Sequence, residues 1–268
     1  EQARLRLFDD MEYHPSETEI SAALKKMLVT PVKVGAITGH QERSTTKKGD
    51  QDYSLFATHG RFRYSMINQG FDLVELNLKD MNDIPSNINI LLIAEMRSSM
   101  SSKEQEIIDR FLERGGNMMI MGDVGRQEVM NPLVERFGVQ FMPGVLVQPS
   151  RDFDPDLIRG ELTKDAAEMS LNYADLQKKK RVITMPGATA LNYTTDKGFM
   201  VRPVLATRDT GCWNEIETRD LLNEPVELNP VVGEKEGIYP IALALSRKMG
   251  DREQRIIVLG DADCISNS

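Results

Sequence analysis

Short apolar runs alternate with segments of helical period through the first half of the chain. Ser16 and Glu19 form the S-x-x-E signature of a helix start, and Ile20, Ala23, Leu24, Met27 and Leu28 fall on one face. Pro31 ends that helix, and the β-rich run Val32 to Ile37 follows. The polar stretch from Ser44 to Gln51 reads as a mobile loop. Leu55, Phe62 and Met66 then predict a helix over Tyr53 to Gln69, stopped by Gly70. Phe71 to Leu78 reads as a strand, and Ile88 to Met96 as a continuously apolar one of the kind buried on both faces.

Ser101 and Glu104 repeat the capping signature and open a helix with Ile107, Ile108, Phe111 and Leu112 inward. Gly115 and Gly116 stop it, a strand over Asn117 to Met121 follows, and a helix through Met130, Leu133, Val134 and Phe137 ends at Gly138. Strands alternating with helices require crossover connections and hence a parallel sheet. The pattern therefore predicts an α/β fold with a mostly parallel sheet flanked by helices. Beyond residue 139 it loosens, with strands expected at Val182 to Met185, Val201 to Ala206, Ile241 to Leu245 and Ile256 to Leu259. The expected organisation is a helical lead-in over residues 1–31 and one elaborated domain over 32–268, less regular over about 139–250.

Composition narrows the function. The 268 residues carry 33 Lys plus Arg against 41 Asp plus Glu, a formal charge of -8, which disfavours nucleic acid and anionic lipid as partners. The best apolar run, Ile90 to Ala94, has the length of a strand and not of a membrane span. The chain opens on Glu1 without a leader and stops soon after its last strand, so an excised part of a longer protein is the expectation. Cys212 and Cys264 read as two buried thiols in preference to a disulfide.

In an open α/β sheet, ligands gather beyond the carboxyl ends of the strands. Those ends hold His40, Gln41 and Glu42, then Arg97, then Asp123, and finally Asp261 and Asp263. These residues are the candidates for contact with a ligand or partner, against the plainer reading that they cap helices and line wet turns. The strand-turn-helix place for a nucleophile elbow is Met121 to Gly125, where neither Ser nor Cys stands. No catalytic residue is therefore assigned. The alternative is a hydrolase or amidotransferase-like enzyme working through Asp123 with His40 and Glu42. Three histidines with no HExxH helix make a zinc centre unexpected, Asp261 and Asp263 read as turn chemistry before cation ligands, and no phosphate loop is present. No metal or cofactor is expected. Trp213, the one tryptophan, reads either as a partner anchor in a loop or as a packing plug.

Five stretches in order, TPVKVGAITGHQE, DIPSNINILLIAEMRSSMSSKEQEIIDRFLERGGNMMIMGD, VITMPGATALNY, RPVLATRDTGCWNE and YPIALALSRKMGDREQRIIVLGDADCISN, resemble the extracytoplasmic domain of gliding-motility-associated ABC transporter auxiliary proteins. The resemblance runs from about Ser16 to the end. It implies a flavodoxin-like, class I glutamine amidotransferase-like fold without the catalytic cysteine, Asp123 and Val124 standing at its place. It also implies a periplasmic position beside the inner membrane, anchoring helices outside this segment, and permease and ATPase subunits as partners. The substrate or glycan handled is left open.

Overall fold

In the computed structural model, residue 8 and residues 14–218 and 220–268 are described; the earlier part of the expected lead-in lies outside them. In chain order the elements are α1 (Glu17–Leu28), β1 (Val32–Thr38), α2 (Ser54–Ala57), β2 (Phe71–Asn77), β3 (Ile90–Ala94), α3 (Ser102–Glu113), β4 (Asn117–Met121) and α4 (Gln127–Val134). They continue with β5 (Val139–Phe141), β6 (Val145–Val147), β7 (Leu157–Leu162), α5 (Lys164–Met169), α6 (Leu171–Lys178), β8 (Val182–Pro186), β9 (Leu191–Tyr193), β10 (Met200–Ala206), β11 (Trp213–Glu215), β12 (Pro240–Met249) and β13 (Arg252–Leu259). The fold class is α/β, as expected. Contacts divide the chain into a first unit, residues 1–93, 100–118 and 265–268, and a second, residues 94–99 and 119–264.

The first unit is built on the parallel strands β2-β1-β3, with Val32 opposite Phe71 and Val34 opposite Ile90. Val34, Ala36 and Ile37 of β1 and Leu91, Leu92 and Ile93 of β3 are buried, as a strand covered on both faces requires. Gly35 has no room for more, since a Cβ there would come 2.5 Å from Leu76 Cδ1. Both capping boxes form, and α3 buries Ile107, Ile108, Phe111 and Leu112. Each such side chain contributes on the order of 1.5–3 kcal/mol.

Two expectations fail here. The helix over Tyr53 to Gln69 is reduced to the single turn of α2, and turns follow it. Asn68 Nδ2 donates to the carbonyls of His59, Gly60 and Phe62, so side-chain bonds replace the helical ladder. Among the described residues of α1, Glu19 and Ala22 are buried, whereas Ile20, Leu24, Met27 and Leu28 are exposed. Glu19 pairs with the buried Arg63, and Ala22 is the close neighbour of Gly70. A polar, small-residue face has taken the inward position.

The second unit is built on antiparallel pairs. In the order β4-β13-β12-β10-β7-β8, the pairs β12/β13, β10/β12, β7/β10 and β7/β8 are antiparallel. Strands β12 and β13 form one hairpin, Ala242 opposite Leu259 through Met249 opposite Arg252, turned at Gly250 with φ 61°. The irregularity read beyond residue 139 is this antiparallel elaboration. Its core gathers Leu146, Ile158, Leu162, Met185, Leu205 and Ile241.

Candidate functional site

Strand β1 delivers its last residues into a tight turn in which Gly39 has φ 111° and Gln41 φ 66°. His40, between them, is 1% exposed. Its backbone N–H donates to Glu42 Oε2 at 2.7 Å, and its Nδ1 lies 3.2 Å from Glu42 Oε1. The other ring nitrogen, Nε2, lies 3.1 Å from Glu104 Oε1, close but not aligned as a hydrogen bond. Glu104 is also the closing residue of the α3 capping box, with Oε2 accepting from the Ser101 N–H at 2.8 Å and the Ser101 hydroxyl at 2.7 Å. Burial pushes the Glu104 carboxyl up, but the Ser101 bonds and the His40 ring outweigh it and hold the group below its ordinary value. Gln41 is exposed. This arrangement ties the β1 turn to the start of α3 by charge.

The turn after β4 lacks an elbow's strain. Asp123 Oδ1 accepts from the Val124 N–H at 2.7 Å, an ordinary turn bond. A second left-handed non-glycine residue at a strand end is Glu95, immediately after β3, with φ 47° and 1% exposure. A bulky residue held there is strained, and such strain gathers at functional positions. The Glu95 N–H donates to the Met121 carbonyl at 2.9 Å, which sets the β3 and β4 exits side by side. Its Oε1 receives Arg97 at 2.9 Å and faces Arg126 at 3.8 Å. Sequence reasoning picked out Arg97 but missed Glu95 and Arg126. Residue type gave no signal, because glutamate has no preference for this backbone region.

After β13, Asp261 is fully buried, and its Oδ1 accepts from the Asp263 N–H at 2.6 Å. Burial, reinforced by Asp263 and Asp123, raises its carboxyl from 3.8 to about 8. The Cys264 thiol donates to the Asp261 carbonyl at 3.3 Å and is itself pushed up by burial. Both cysteines are free. Among the described residues no group of three or more His, Cys, Asp or Glu is placed to hold a metal ion.

Trp213 lies on β11 and is 8% exposed, packed with Val145, Val147, Leu221 and Val226. Its Nε1 donates to Glu215 Oε2 at 3.1 Å. It is therefore the plug and not an exposed anchor, because β11 pairing with β6 turns the ring inward. Two open cavities of the second unit, about 530 Å³ around Asp152, Phe153 and Asp156 and about 260 Å³ around Gln140, Tyr193 and Lys197, include none of the eight candidate residues. His40, Gln41 and Glu42 belong to the first unit, and Arg97, Asp123, Trp213, Asp261 and Asp263 to the second.

The family model of an ABC-type uncharacterized transport system matches residues 31–268. The chain belongs to this family. The family match begins just before β1 and takes in the His40 turn, the Glu95 turn and the Asp261 turn, while α1 precedes it. No curated protein matches the sequence. Among solved structures, the mmIFT52 N-terminal domain superposes with a TM-score of 0.56 at 17% identity, covering 87% of this chain and 88% of that one. That likeness shows a shared fold. A ThuA-like protein from Parabacteroides merdae ATCC 43184 gives a TM-score of 0.42 at 11% identity, covering 86% of this chain and 79% of that one. Among the described residues, no helix of this family member is long and apolar enough to cross a membrane.

Proposed function

We propose that this chain is a non-catalytic binding domain of its ABC transport system, working on the periplasmic face of the inner membrane. In this reading the full-length protein is anchored by helices outside the segment, and it joins the permease and ATPase subunits to a transported substrate or glycan. The fold is that of an amidotransferase-like domain without its nucleophile, used for recognition.

The observation that supports the reading is the state of His40. A general base must reach a substrate proton with a free ring nitrogen. Here both nitrogens face carboxylate oxygens, at 3.2 and 3.1 Å, and the ring is 1% exposed. A hydrolase built on Asp123, His40 and Glu42 would have to dismantle that cluster first.

The test uses the full-length protein in its own membranes. Cross-linking followed by purification is expected to recover the ABC permease and ATPase subunits, and protease added to spheroplasts is expected to digest this domain. Asp123→Ala should leave both results unchanged. Recovery of neither subunit, or protection from external protease, overturns the proposal, as does an enzymatic turnover abolished by Asp123→Ala.

A further inference from the structure

The turns after β3 and β4 carry two guanidinium groups on one buried carboxylate, an arrangement the His40 cluster and the capping boxes do not use. Glu95 is 1% exposed and held in a left-handed backbone conformation, φ 47°. Arg97 contacts Glu95 Oε1 at 2.9 Å and Arg126 faces the same oxygen at 3.8 Å, with 38% and 33% of the two side chains exposed. Two cations share one buried anion here, in a chain whose formal charge is -8. Each guanidinium has five N–H donors in a planar fork, far more than one shared oxygen accepts. Arg126 Nε is buried and has no hydrogen-bond partner.

The surroundings agree. Arg126 is the N-cap of α4 and gives its first turn no side-chain bond. Gly125 beside it has φ 74° with nothing within 4 Å of a Cβ, so a ligand can approach the backbone there. Carboxylates close by in the sequence are Asp123, which accepts from the Val124 N–H, and the exposed Glu128 of the first turn.

We infer that Arg97 and Arg126, seated on Glu95, form a binding site for a small oxyanion, the phosphate or carboxylate group of a ligand. Glu95 is a positioning residue: it holds the two forks in register and neutralises one charge, so that the site takes one anionic group. The inference deepens the binding role proposed above and rests on it, since it names the ligand chemistry of the strand-end face.

Calorimetric titration of the chain with inorganic phosphate, and separately with glucuronate, tests the site, and the probe that binds identifies the source of the anion. The expected result is saturable binding of one probe, weakened by salt and reduced about tenfold or more by Arg126→Lys, which keeps the charge but not the planar fork. Arg97→Lys should act in the same direction. If Arg97→Lys lowers the melting temperature through its closer contact with Glu95, Arg126→Lys alone decides. No saturable binding of either probe, or binding unchanged by Arg126→Lys in a folded protein, overturns the inference. Capture of the transporter subunits by the same variants shows whether the wider binding role survives that failure.

Discussion

The Nε2 atom of His40 lies 3.1 Å from Oε1 of Glu104, so the turn after β1 and the N-terminus of α3 are joined through two side chains that water does not reach. Removing the ring leaves Glu42 and Glu104 facing each other without compensation. His40→Ala is expected to destabilise the fold by about 3 kcal/mol, the scale for breaking a buried charged pair. Urea unfolding measures it, and a loss below about 1 kcal/mol would show the cluster to be dispensable.

Glu104 gives that cluster a pH limit. Its folded carboxyl lies below the ordinary 4.5, so its contribution is complete above that value and disappears as pH falls through the folded value. Glu104→Gln should therefore flatten part of the acid limb of the stability profile. An acid limb identical to that of the unaltered chain would contradict the assignment.

Asp261 acts in the opposite sense. Its carboxyl rises from 3.8 unfolded to about 8 folded, so between those values the folded state holds a proton that the unfolded state has released. Stability is complete below the lower value and falls as pH rises toward the upper one. Asp261→Asn removes that slope, and at pH 8.5 the variant is expected to be more stable by about 2 kcal/mol or more, on the scale of linkage for a shift of several units. Equal denaturation midpoints at pH 5.5 and 8.5 in the unaltered protein would refute the assignment.

Ser101 closes the α3 capping box from both directions, receiving the Glu104 N–H and giving its hydroxyl to Glu104 Oε2. Ser101→Ala should cost about 1 kcal/mol, with half of that or less for an end that frays harmlessly. The denaturant midpoint, at unchanged slope, reports it.

Two glycines offer a paired steric test. A Cβ at Gly260 would lie 2.0 Å from the Thr189 carbonyl oxygen, which belongs to the backbone and has little freedom to move, whereas at Gly237 nothing lies within 4 Å. Gly260→Ala is expected to cost about 3 kcal/mol or more, and Gly237→Ala to stay within about 0.5 kcal/mol. Similar melting temperatures for the two variants would refute the close approach.

What could be read from the chain was whatever one residue's chemistry decides locally. Ser101 and Glu104 announce their cap, and the unbroken apolarity of Ile90 to Ala94 announces a strand covered on both faces. The face of α1 was illegible because Arg63, far along the sequence, draws Glu19 inward while Gly70 admits only a small residue at Ala22. The site divided in the same way. His40 and Glu42 are two residues apart and stood out together, but Glu104 comes from another element and looked like a cap alone. Glu95 was invisible because its interest lies in a backbone angle and in two arginines from different turns. Trp213 was visible, but whether it faced solvent depended on the pairing of β11 with β6.

Asn267 carries a consequence for the order of events during synthesis. Its side chain accepts the Leu55 N–H at 2.7 Å and donates to the Gly49 carbonyl at 2.6 Å, across 218 residues of sequence in the latter case. The turn near residue 49 therefore cannot acquire those bonds until residue 267 has been made. At about 5–20 residues per second, a ribosome takes roughly 10–45 s to add that stretch. Throughout that interval the nascent turn must wait for its own clasp, and any chaperone or protease that meets it then meets an unfastened segment.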